Sequence, residues 1–134
     1  MVFMAILNLR KCPAVVALML LLGSTAHAMS WSKIGDSEGV TLYVNRNAVE
    51  KEEAIRRVWE MQDLQKADAD GVLSRRYLNE YDCQNKMFRL SKMDSFSGPK
   101  LSGRKLFTVE EPGYWRKIPP NGLFTLSYIW LCVK

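Results

Sequence analysis

The chain has 134 residues, 19 basic and 14 acidic side chains, a formal net charge of +5 and one histidine. Its length suits one domain with a modest core. The histidine, His27, falls in a segment that reads as an export signal, so the remainder is without a Ser-His-Asp or Cys-His catalytic set and without a histidine metal ligand.

In chain order, Arg10 and Lys11 precede an apolar run of 11 residues (12–22), and Gly23-Ser24-Thr25-Ala26-His27-Ala28 follows. A positive flank, a short apolar core and a small-x-small ending predict a secretory signal at 1–28, cleaved after Ala28. The run is well under the ~20 residues of a bilayer-crossing helix, so no transmembrane anchor is expected. Cys12 opens the apolar run and does not follow a small residue at a cleavage site, which argues against lipidation. Residues 29–134 are then one exported domain, in the periplasm or on the outer cell surface, with 17 basic and 14 acidic side chains. Cys83 and Cys132 remain, and an even count in an oxidising compartment argues for a disulfide, two buried thiols being the alternative.

Runs with strand character recur at 40–45, 55–63, 75–83, 86–93 and 104–109, with edge strands expected at 30–34 and 113–118. Turn formers separate them: Asp36 with Gly39, residues 45–47, Asp70-Gly71, Ser97-Gly98-Pro99 and Pro112-Gly113. There is no repeat, low-complexity tract or linker, and the pattern predicts an antiparallel meander.

A two-residue turn at Gln84-Asn85 would place Cys83 opposite Lys86, Tyr81 opposite Phe88 and Asn79 opposite Leu90 on a buried side. Glu80 would then face Arg89, and Leu78 would face Ser91, on the wet side. Asn79 fits that register poorly, and a longer turn would shift it. Trp59, Tyr81 and Phe88 read as core residues, as does Trp115, although its place beside Arg116 and Lys117 also suits a partner contact.

Pro119-Pro120-Asn121-Gly122 stops the last strand. Leu123, Leu126, Trp130 and Val133 form one helical stripe, with Asn121 as its cap, and a buried strand is the competing reading of so apolar a run. A helix here would lie over Tyr81, Phe88 and Leu90, pinned through Cys132. Phe124, Tyr128 and Leu131 would face a second sheet edge or a second copy, which raises a homodimer as an expectation.

Asp68-Ala69-Asp70-Gly71 resembles the middle of a calcium loop, but the first ligand would fall on Lys66 and the closing glutamate on Tyr77. It reads as a turn, so no metal or other cofactor is expected.

Trp31, Tyr43, Trp59, the Glu80-Tyr81-Asp82-Cys83 stretch, Gly103, Trp115 with Ile118-Pro119, and the terminal Cys132 occur in an order that resembles the bacterial surface-adhesin protein E family. The resemblance implies an α+β fold: a curved antiparallel sheet of about six strands with a C-terminal helix tethered by the disulfide. It also implies a Gram-negative envelope source and binding of host extracellular-matrix or serum proteins.

Charge gives a separate expectation. Residues 29–82 carry 8 basic and 11 acidic side chains, whereas residues 83–134 carry 9 and 3. Lys86, Arg89, Lys92, Lys100, Arg104, Lys105, Arg116 and Lys117 are therefore the candidate contacts for acidic partners such as polyanionic glycans, with a solvated basic face as the plainer reading. The export signal, the small net charge and the lack of a stacking or helix-turn-helix motif argue against nucleic acid. An adhesin-like binding protein leads, a periplasmic structural or inhibitory accessory protein comes second, and an enzyme is not expected.

Overall fold

Half-buried strands alternate apolar and polar side chains, and the central strands here pair so that their apolar sides coincide. The computed structural model describes residues 29–133, and the expected signal at 1–28 lies outside the described residues. Eight strands follow in order: β1 (Trp31–Ser37), β2 (Val40–Asn45), β3 (Glu50–Glu52), β4 (Ile55–Leu64), β5 (Ser74–Asp82), β6 (Met87–Phe96), β7 (Lys105–Val109) and β8 (Arg116–Lys117). A helix, α1 (Leu123–Cys132), ends the fold.

The strands form one antiparallel sheet in the order β1-β2-β4-β5-β6-β7. The two short strands extend longer neighbours along a shared partner. Along β4, Val44 pairs with Glu60 and Glu50 with Arg57. Along β6, Met93 pairs with Val109 and Phe88 with Arg116. The strand expected at 113–118 is therefore a resumption of β7 after Glu110-Glu111-Pro112. Hydrogen bonds from Gly113 N to Leu90 O and from Ile118 N to Lys86 O continue the edge around it. A proline and two charges at this interruption discourage a foreign strand from adding there.

Near the β5–β6 turn the register is as the residues predict, with Tyr81 opposite Phe88, Glu80 opposite Arg89 and Asn79 opposite Leu90. Two details differ. The strands part at Asp82 and Met87, so Cys83 and Lys86 belong to a four-residue connection. Asp82 Oδ1 accepts from the N–H groups of Gln84 and Asn85, both at 3.0 Å, and Lys86 adopts φ 53° to close the turn. Further along, a bulge between Leu78 and Asn79 sets Leu78 opposite Lys92 in place of Ser91. A bulge adds one residue to one strand and lets both sides keep their faces.

Val44, Val58, Tyr81 and Phe88 form the buried centre of one sheet face, and α1 lies over it. The disulfide joins Cys83 to Cys132 with Cα atoms 5.3 Å apart. The helix is rotated from the expected stripe. Ser127 is wholly buried, and Phe124, Tyr128, Trp130 and Leu131 pack on the core, while Val133 is exposed. Phe124 stacks on Phe88 at 4.3 Å, and Tyr128 Oη donates to Cys83 O at 3.2 Å. Phe124, Tyr128 and Leu131 are thus engaged within the molecule, where the stripe would have left them for a second sheet edge or a second copy. The cap also differs: Gly122 stands at the N-cap without a side-chain bond, and Thr125 Oγ1 donates to Pro119 O at 2.5 Å. Leu126 lies against β1, its Cδ1 only 2.9 Å from where a Cβ on Gly35 would stand, so a larger residue at 35 would require the Leu126 side chain to shift.

Trp130 is half-buried, with the Arg46 guanidinium 5.5 Å from its ring centre. A fully buried tryptophan costs ~3–5 kcal/mol on truncation. Trp130→Ala is expected to cost about 2 kcal/mol in denaturant unfolding, and a change near zero would remove the ring from the helix-sheet packing.

The opposite sheet face is built from ion pairs. Arg57 and Arg89 flank Glu80 at 3.5 and 3.1 Å, and Arg76 and Lys105 flank Asp94 at 2.8 and 3.7 Å. Glu80, expected on a wet face, is 4% exposed because these long side chains fold over it. Trp59, expected in the core, belongs to this face, half-buried with Arg76 5.4 Å from its ring.

Candidate binding surface

The eight candidate cations come from a stretch that the meander folds back along β6, and this determines their places. Lys86, Arg116 and Lys117 gather at the β5–β6 turn, since Met87 pairs with Lys117 and Phe88 with Arg116. Lys100, Arg104 and Lys105 stand at the other end, where Phe96 pairs with Lys105. Eight residues of strand separate Phe88 from Phe96, or ~26 Å at ~3.3 Å per residue. The cations are thus two groups, with Arg89 and Lys92 between them.

They also differ in freedom. Arg89 is held by Glu80 and lies 4.8 Å from the Trp115 ring centre, and Lys105 reaches Asp94. Lys100 sits 5.9 Å from the Tyr43 ring, and its backbone N–H donates to Asp63 Oδ1 at 2.9 Å. Lys86, Lys92, Lys100, Arg104, Arg116 and Lys117 are exposed and have no ion-pair partner among the described residues. Lys92 borders a cavity of about 410 Å³ on the ion-paired face, together with Glu50, Arg57, Trp59, Leu78, Glu80 and Ser91.

Two features were not among the sequence candidates. Tyr114 is 89% exposed, next to Trp115, which the sequence singled out. The second is Glu60, 1% exposed beneath α1. Its Oε2 accepts from Asn79 Nδ2 and, at 2.8 Å, from Tyr81 Oη, while Oε1 accepts from Ser127 Oγ. Burial pushes the Glu60 carboxyl above its ordinary range, against the pull of these three donors. Burial, with the nearby Glu60 carboxylate, pushes the Tyr81 hydroxyl well above its own. The group is structural in placement: it joins β4 and β5 to the helix.

The Asp68–Asp70 stretch is a turn. Asp68 Oδ1 accepts from the N–H groups of Asp70 and Val72, each at 3.0 Å, and Oδ2 accepts from Arg75 at 2.5 Å. Among the described residues, no cluster of three or more His, Cys, Asp or Glu side chains is placed to hold a metal ion. No helix among them is long and apolar enough to cross a membrane.

Comparison with known proteins gives a consistent picture. The family model described as surface-adhesin protein E matches residues 31–132. No curated protein matches the sequence significantly. Among solved structures, crystal form II of Haemophilus influenzae protein E is similar at a TM-score of 0.55 and 11% identity, covering 78% of this chain and 93% of that one. Protein E from non-typeable Haemophilus influenzae is similar at a TM-score of 0.55 and 13% identity, covering 75% and 74%. At such identities the likeness is one of fold.

Proposed function

This chain belongs to the surface-adhesin protein E family, and from that premise we propose that it is an exported, adhesin-like binding protein for host extracellular-matrix or serum proteins or polyanionic glycans. The family match across residues 31–132 carries the reading. The exposed cations without ion-pair partners support it, because charges not committed inside the fold are free to meet an acidic ligand.

Heparin serves as a defined polyanionic probe. The double variant Lys100→Glu with Arg104→Glu is expected to elute from immobilised heparin at lower salt, with a flatter salt dependence and an unchanged unfolding curve. Unchanged retention would reduce this end of the sheet to a solvated face.

Display at the cell surface separates the adhesin from the second reading, a periplasmic structural or inhibitory accessory protein. Protease added to intact cells is expected to degrade the protein. Degradation only after the outer membrane is permeabilised would favour the accessory role.

A further inference from the structure

The helix covers only part of its sheet face. Its contacts fall on β1 and on the core around Val44, Val58, Tyr81 and Phe88. The same face continues beyond Phe88, because Tyr77 pairs with Met93, Met93 with Val109 and Ser95 with Phe107. There Phe107 is 47% and Tyr114 89% exposed, beside the buried Tyr77 and Ser95.

A cavity of about 210 Å³ lies where helix and open face meet, walled by Tyr77, Phe88, Leu90, Tyr114 and Phe124, with Arg116 at its rim. Drug-sized ligands occupy roughly 300–1,000 Å³, whereas about 150 Å³ holds a benzene molecule. The volume therefore suits one aromatic ring. Asn79 forms part of the wall, and its Oδ1 is buried without a hydrogen-bond partner among the described residues, its Nδ2 being committed to Glu60.

The charges beside the cavity define what surrounds that ring. Arg116, Lys117 and Lys86 are exposed, sit together at the β5–β6 turn, and lack ion-pair partners among the described residues. Glu110 and Glu111 lie on the other side of Tyr114, towards β7. A ligand chain leaving the cavity towards the turn meets Arg116, Lys117 and Lys86, while the one carboxylate of the turn, Asp82, is occupied by the N–H groups of Gln84 and Asn85 and the Asn85 side chain. Tyrosine and arginine around an apolar pocket is also the composition of energetic centres in protein interfaces.

We propose that this cavity is the anchor point of a protein-docking surface, which takes one aromatic side chain from an acidic, extended segment of a partner protein. The inference rests on the adhesin reading and gives it a second contact site, remote from Lys100 and Arg104.

The test uses residues 29–134 in the disulfide-bonded form, with the peptide acetyl-Asp-Asp-Phe-Asp-amide as probe, followed by amide chemical shifts in NMR. Shifts are expected to concentrate at Tyr77, Leu90, Gly113 and Phe124. Tyr114→Ala and Arg116→Glu, both at exposed positions that leave the core intact, are each expected to weaken binding about tenfold. A peptide with lysine for aspartate is expected to bind about tenfold more weakly as well. Shifts centred elsewhere, equal binding of a peptide with alanine for phenylalanine, or no shifts at millimolar peptide would overturn the proposal. Those results leave the heparin and cell-surface experiments untouched. Conversely, peptide binding that survives in the Lys100→Glu, Arg104→Glu variant keeps the cavity separate from the polyanion reading.

Discussion

Replacing Cys83 and Cys132 together by serine is expected to lower the unfolding free energy by about 4 kcal/mol, the chain-entropy value for a loop of this size. The bridge spans a sequence separation of 49 and joins the β5–β6 turn to the last residue of α1. In the oxidised chain the helix cannot diffuse from the sheet even when its packing opens. Without the bridge, docking rests on Phe124, Ser127, Tyr128, Trp130 and Leu131. A domain of this size has roughly 5–15 kcal/mol to lose, so the double variant should remain folded at 25 °C but melt far earlier. Equilibrium urea unfolding with and without reductant checks this. Wild type in reductant should coincide with the variant, and a loss under about 1 kcal/mol would mean that helix docking does not depend on the tether.

The strands were legible because their alternation is regular and their breaks carry turn residues: Gly39, Asp70-Gly71 and Pro112-Gly113 all fall between observed strands, although Asp36 stays within the end of β1. The bulge opposite Leu78 was not, since its extra residue is Ser91 and nothing in Phe88-Arg89-Leu90-Ser91-Lys92 marks it by glycine or proline. The rotation of α1 was hidden for a related reason. In Leu-Phe-Thr-Leu-Ser-Tyr-Ile-Trp-Leu-Cys nearly every position is apolar, so periodicity assigns a helix without assigning its phase. The phase is set by contacts that sequence spacing does not reveal: the Ser127 hydroxyl on Glu60, 67 residues away, and the sulfur of Cys132.

The candidate cations were legible as residues and not as a surface. Neighbours such as Arg104 and Arg116 are near in sequence, yet the edge strand carries them to opposite ends of β6. Arg89 looked like a cross-strand partner of Glu80 and is one, and that same pairing withdraws it from the free charges. Asn79 had already failed to fit an apolar side. A polar residue on a buried face implies a buried partner, and that partner is Glu60, reached from the next strand.

Glu60 yields the second large effect. Glu60→Ala strands three buried donors, on Asn79, Tyr81 and Ser127, and each unsatisfied group costs ~1–3 kcal/mol. A total loss of roughly 3–6 kcal/mol is expected, enough to unfold much of the population at physiological temperature. Glu60→Gln should behave in the opposite way. Its carbonyl can accept from Asn79 and Tyr81, and its amide can donate to Ser127, whose hydroxyl turns to accept. The contacts survive and the buried charge disappears.

The pH dependence separates the two terms. Burial raises the Glu60 carboxyl above its ordinary value near 4.5, so the folded state holds this proton more tightly than the unfolded one. Its stabilising contribution is therefore complete below about pH 4.5 and is lost as pH rises through the folded-state value. Other carboxylates act with the opposite sign. The Val72 N–H holds Asp68, and the Asn85 side chain holds Asp82, below the ordinary value near 3.8, so their contribution is lost only as pH falls further. Wild-type stability should thus decline on the alkaline side of about pH 4.5 and then level off. Glu60→Gln should show no such decline and should be the more stable protein at pH 7, while the two converge near pH 4. Urea unfolding from pH 4 to 8 measures this directly. A glutamine variant that is less stable than wild type at pH 7 would show that the ionised carboxylate is worth more to its three donors than it costs to bury.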